Sequence, residues 1–141
     1  MFGLGKDRRG SATVEFAIVS ISIMVFVPLV YDLASVIKSS MALNGSLRAG
    51  VQYALSNPND SAGIAQVIKT ASGLPAVTIT TTQSCSCAGT ATTCGSTCTG
   101  GGSPAMYVAI TANYSVPTMI PYANYPLNSF PVSSSTNIRV Q

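Results

Sequence analysis

Histidine and tryptophan are absent from this chain, and only four of its 141 residues are acidic. Without histidine, no side chain has an ordinary pKa that brings proton transfer near neutrality. The four acids, Asp7, Glu15, Asp32 and Asp60, are too scattered to offer the carboxylate pair of acid–base catalysis. Serines are plentiful, but none stands in a GxSxG turn or beside a visible base. These absences speak against an enzyme and leave no residue set for a cofactor. Charge as a whole is scarce: 8% of residues are charged and 47% apolar, whereas a typical soluble domain is about a quarter charged. That balance fits a membrane segment or a subunit embedded in an assembly. The net charge of +3 builds no nucleic-acid surface, because Lys6, Arg8 and Arg9 crowd the N-terminus and the other four basic residues are dispersed.

What is present begins with a short basic leader, MFGLGKDRRG, over residues 1–10. From Phe16 to Tyr31 sixteen residues carry no formal charge, and extension to Ile37 admits only Asp32. A helix over 11–37 is long enough to cross a hydrocarbon core of about 30 Å at about 1.5 Å per residue. Pro28 removes one helix N–H and predicts a kink, which lipid-embedded helices tolerate. The leader's positive charge predicts a cytoplasmic N-terminus and an outward C-terminal part. Asp32 is expected to cap the span at its outer interface.

Beyond the span the helical pattern continues over 38–56. Leu33, Val36, Ser40, Leu43, Leu47, Val51 and Ala54 form a stripe of apolar or small residues, with Lys38, Gly45, Arg48 and Gln52 opposite. Gly45 and Gly50 weaken intrinsic helicity, so this stripe needs a packing partner. SNPND ends the helix, and a second one is expected from Ser61 to Ser72, closed by Gly73. Residues 57–141 then read as a small α+β head. AVTITTTQ alternates Val77 and Ile79 with threonines, MYVAITANYSV alternates Met106, Val108 and Ile110 with Tyr107, Ala109 and Thr111, and STNIRVQ reads as a last strand. The proline-punctuated VPTMIPYANYPLNSFP reads as a loop. Tyr107, Tyr114, Tyr122 and Tyr125 are expected mainly as packing residues.

Four cysteines, Cys85, Cys87, Cys94 and Cys98, fall within fourteen residues on the expected outer side, where disulfides persist. Three pairings are possible. A nested hairpin, Cys87 with Cys94 and Cys85 with Cys98, fits two arms around AGTATT and is preferred over the crossed pairing. Zinc is the alternative, although CxC and CxxxC differ from the usual CxxC knuckle, and no metal site is assigned.

Glu15 is the residue that asks for explanation. A charge near the bilayer centre costs about 2.5–3.5 kcal/mol on insertion scales, and less near the surface. One reading makes it an interfacial charge beside Arg8 and Arg9. A second makes the N-terminus a secretory signal cut near SSMA, releasing the head. A third uses spacing: Glu15 is the fifth residue after Gly10. This resembles the type IV prepilin pattern, in which a membrane peptidase cuts after the glycine, here between Gly10 and Ser11. The resemblance implies that the carboxylate of Glu15 pairs with the new terminal amine of a neighbouring subunit. Opposite charges at about 4 Å attract by about 4 kcal/mol at an effective dielectric of 20, before desolvation is subtracted. The attraction and the insertion cost are comparable, so pairing makes the acid tolerable only when subunits stack in register.

The first fifty-five residues resemble the TadE-like family, the minor pilins or pseudopilins of the tight-adherence (Flp) pilus system. Arg9-Gly10, Val14-Glu15-Phe16-Ala17, an apolar run containing Pro28, and LRAGVQYAL carry the likeness. The mid-chain cysteines, YVAITANYSVP and NIRVQ extend it more loosely. The resemblance implies a non-enzymatic subunit of the bacterial inner membrane, its head periplasmic or extracellular, that takes part in assembling or anchoring a thin adhesive pilus. Its implied partners are a prepilin peptidase, the major Flp-type pilin, other minor pilins and the assembly platform. Bulk pilins of that system are shorter and carry Glu-Tyr after the cut, so Phe16 and the attached head point to a minor subunit. The competing reading is a membrane-anchored or secreted binding module unrelated to pili.

Overall fold

A computed structural model describes residues 9–119 and 129–140, with backbone alone at Arg9, Gly10 and Ser11. Most of the basic leader, and Tyr122 and Tyr125, lie outside the described residues. The chain is α+β: α1 (Arg9–Ser56), α2 (Ser61–Ser72), then strands β1 (Thr78–Cys87), β2 (Thr90–Thr92), β3 (Ala105–Pro117) and β4 (Ser129–Arg139). The four strands form one antiparallel sheet in the order β2-β1-β3-β4.

Helix α1 has 48 residues and runs through Pro28 without interruption. Its two halves meet different surroundings. From Ala12 to Tyr31 every side chain is exposed except half-buried Ser20 and Pro28. Burial starts at Asp32, and farther along Leu43, Leu47 and Ala54 enter a core shared with Ile64 and Ile68 of α2 and Val108, Ile110 and Ala112 of β3. The packed stripe therefore starts later than expected, for Leu33 remains exposed. Gly50 sets how closely the helices approach. A Cβ built there would lie 2.5 Å from Cγ1 of Ile68, so only glycine lets α2 come this near. The residue that weakens α1 locally is also what brings its packing partner into contact.

Helix α2 has the bounds its sequence predicts, because both ends are chemically marked. Asp60 caps the start by accepting the Gly63 N–H, and Gly73 closes the end with φ 61° in the left-handed region. Gly63 must be small here too, since a Cβ would strike the Asp60 carboxylate and the Tyr53 hydroxyl.

The sheet register sorts side chains into two faces. Val77, Val108, Ile110, Ala112, Val132 and Ile138 belong to the core or pack on it, toward the helices. The other face carries aligned rows such as Thr80, Thr111 and Ser135, or Thr78, Asn113 and Ser133. One segment read as loop contains strand: β4 starts at Ser129, taking in Phe130 and Pro131, and the short β2 lies inside the cysteine-rich stretch. Pro131 is compatible with a strand because β4 is at the sheet edge, where no N–H is demanded of it.

The disulfides correct the nested expectation: Cys85 pairs with Cys94 and Cys87 with Cys98, a crossed arrangement. The reason is where the hairpin turns. Its tip is the two residues Ala88 and Gly89, both at positive φ (51° and 87°), a mirror-image tight turn. That turn sets Cys87 opposite Thr90 and Cys85 opposite Thr92. Cys94, just past β2, therefore comes alongside Cys85, while Cys98 returns to Cys87 at a Cα separation of 5.5 Å. A wider turn around AGTATT would have been needed for nesting. All four cysteines are consumed, so no thiolate remains to serve the zinc alternative.

Candidate functional site

The apolar half of α1 is one candidate functional surface. Its most apolar eighteen-residue stretch has a mean hydropathy of 2.2 and is wholly unburied, so by length and composition it can cross a membrane. Phe16 (73% exposed), Met24 and Phe26 stand out among bare side chains that follow one another around the whole helix. An apolar surface this continuous is suited to lipid or to packing against other helices. The two serines near its start are accommodated locally. Ser20 donates to the Phe16 carbonyl at 2.7 Å and Ser22 to the Ile18 carbonyl at 3.3 Å, so neither hydroxyl has to find water.

Glu15 lies in this surface, exposed between Val14 and Phe16, with no partner among the described residues. Gly10 and Ser11 fall in the first turn of α1, so Ser11 and Glu15 are one helical turn apart along the backbone. Pro28, half-buried, is near the point where the bare half gives way to the packed half. These residues share one helix.

Asp32, at the end of the bare run, is 3% exposed, and its Oδ1 accepts the Met119 N–H at 2.9 Å. The chain leaving β3 folds back onto α1 and covers the carboxylate, so this acid fastens the head to the helix where the apolar half ends. The contact joins residues 87 apart in sequence, so no local pattern announces it. The only sequence signal was an acid isolated between two apolar runs.

Asp60 is a second acid with defined partners. The Gly63 N–H and then the Tyr53 hydroxyl, which donates at 2.8 Å, hold its carboxyl below the usual carboxylate range. The same carboxylate raises the Tyr53 hydroxyl above its ordinary value. This network ties the last turn of α1 to the first turn of α2. Gln83 adds a bond from β1 to the Pro58 carbonyl, so the connection between helices is held from both sides.

Two tyrosines singled out in sequence are described: Tyr107 and Tyr114 are both half-buried, and Tyr114 packs on the core. Asn44, Asn59 and Asn113, each at the head of an N-x-S triplet, are exposed. No known protein family, curated protein or solved structure matches this chain.

Proposed function

We propose that this chain is a TadE-like minor pilin that takes part in assembling or anchoring a tight-adherence pilus, cut by a prepilin peptidase between Gly10 and Ser11. One observation carries the reading: Glu15, an acid with no partner among the described residues, stands five residues after Gly10 on a bare apolar helix that runs unbroken into the core of the head. Such a helix is both a membrane anchor and a lever. Whatever register the bare halves adopt against one another is transmitted to the heads, because Leu43, Leu47 and Ala54 belong to both the helix and the head. Glu15 supplies the charge that selects this register, by pairing with the terminal amine of Ser11 on a neighbouring copy. The proposal places the N-terminus in the cytoplasm, the apolar half in the inner membrane and the disulfide-bonded head outside. Partners follow from the family resemblance: the peptidase, the major pilin, other minor pilins and the platform. The role is structural, without catalysis.

The secreted-module reading fits less well. A cut near Ser39 to Ala42 falls in mid-helix, next to fully buried Leu43 and through the stretch where Ser39 is itself buried. Release there would fray the end of the helix on which the head is built. The membrane-anchored module differs only in keeping its leader. N-terminal sequencing of protein purified from membranes of a peptidase-bearing host tests the reading. A start at Ser11, abolished by Gly10→Phe, is expected, whereas an intact Met1 in the mature protein contradicts processing.

A further inference from the structure

Strand β4 is the sheet's edge, and its hydrogen-bonding groups divide cleanly between the two sides. The Val140 N–H donates to the Met106 carbonyl at 2.9 Å, which turns Val140 toward β3. Backbone groups alternate along a strand. Ile138, Thr136, Ser134 and Val132 therefore also turn toward β3, while Ser133, Ser135 and Asn137 turn their N–H and C=O groups away from the sheet. Pro131 falls in this outward series, where a missing N–H costs no ladder bond. Natural edges are ordinarily blunted by charge, proline or shortness. Here β4 has 11 residues, with Pro131 near one end and Arg139 at the other, and nothing of that kind between them.

A groove of about 740 Å³ adjoins this edge, and no residue of β3 lines it, so it opens on the outward side of β4. Its apolar part is Leu47 and Val51 of α1 with Ile138 of β4. Asn44, Arg48 and Gln52, on successive turns of α1, form its polar rim. Asn44 already accepts from the Ser134 hydroxyl, which fixes the helix against the strand at one end of the groove. Arg48 is the only formal charge in the lining, and it has no partner among the described residues. The site thus offers backbone turned away from the sheet with no partner among the described residues, an apolar floor, and one positive charge.

The geometry points to the outward edge of β4, with this groove, as the docking site for an extended strand of a partner protein that places small apolar side chains over Leu47 and Val51 and a carboxylate against Arg48. The added strand continues the sheet, so main-chain bonds to Ser133, Ser135 and Asn137 supply affinity while the floor and Arg48 select sequence. Charge complementarity favours an acidic partner segment over β1 of a second copy, whose Thr78–Ser84 stretch is uncharged. The site is built from the packed half of α1 and from β4, and it stands independently of the pilin reading.

The test uses the full chain in detergent micelles and a seven-residue blocked peptide alternating valine and threonine with one central aspartate. Its control carries N-methyl groups on the bonding edge. Peptide addition is expected to slow amide exchange of Ser133, Ser135 and Asn137 at least about tenfold, and the methylated control is expected to do nothing. Arg48→Glu should weaken binding about tenfold at low salt, with the difference shrinking as salt rises, while Arg48→Lys stays within about twofold of the native chain. Three outcomes overturn the inference. One is no response of these amides at millimolar peptide. Another is unchanged affinity in Arg48→Glu. The third is protection already present in the free chain and lost on dilution, which would assign the edge to a second copy.

Discussion

The two halves of α1 are parts of one helix with opposite fates. Residues 12–31 expose nearly every side chain, whereas Leu43, Leu47 and Ala54 are fully or nearly buried. Intrinsic helix preference does not separate them. The bare half is rich in Ile and Val, and the packed half contains Gly45 and Gly50, so both are mediocre helix formers on propensity alone. What differs is the company each half keeps. The packed half is held by α2 and the sheet, while the bare half depends on lipid or neighbouring helices to be helical in a stable way. A helix of this length is therefore two structural devices joined end to end, with Asp32 and its bond to the Met119 N–H close to the junction.

The largest expected break in this comparison is Leu43→Ala. Removing a fully buried leucine from the shared core should cost about 2–5 kcal/mol, read by chemical denaturation of the full chain in micelles through tyrosine fluorescence. Leu29→Ala, in the bare half, should leave the head's midpoint unchanged in the same assay. Equal effects at the two positions would mean that the halves are not distinct.

Next in size is the loss of a cross-link. Replacing Cys85 and Cys94 together by serine should cost about 2–3 kcal/mol, the range for loops this short. Peptide mapping under non-reducing conditions should recover Cys85–Cys94 and Cys87–Cys98. A nested pair would contradict the hairpin register.

A pH dependence of stability should come from the joint between α1 and α2. Folding lowers the Asp60 pKa. Its contribution is therefore present above the unfolded carboxyl's pKa and is lost as pH falls through the folded value. Stability should decline as acid protonates Asp60, and Asp60→Asn should flatten that part of the profile. The smallest effect belongs to the hairpin tip. Ala88 holds φ 51°, a conformation asparagine adopts more readily, so Ala88→Asn should gain about 0.5 kcal/mol.

How much of this was legible in the sequence depended on how local its cause was. The bounds of α2 follow from Asp60 and Gly73, residues whose chemistry acts within one turn, and the sequence showed them. The alternation of Val108, Ile110 and Ala112 likewise marked β3 and its buried face. Strand β2 was hidden because three residues of Thr-Ala-Thr carry no period, and the crossed disulfides followed from the turn that β2 makes. Pro131 disguised the start of β4, because proline argues against a strand unless the edge position is known. Burial of Asp32 required a contact across 87 residues. Glu15 and its spacing to Gly10 were plain from the start, whereas the peptide-sized groove beside Arg48 exists only once α1 and β4 are brought together.

In the proposed function, the bare half of α1 is an assembly element whose register Glu15 selects. Glu15→Gln, expressed in a piliated host, tests it most directly when the protein is quantified separately in membranes and in sheared fibres. The expected result is normal membrane content with loss of most of the fibre-associated protein or of the fibres themselves. Fibres that form normally and hold the variant at native levels would contradict it.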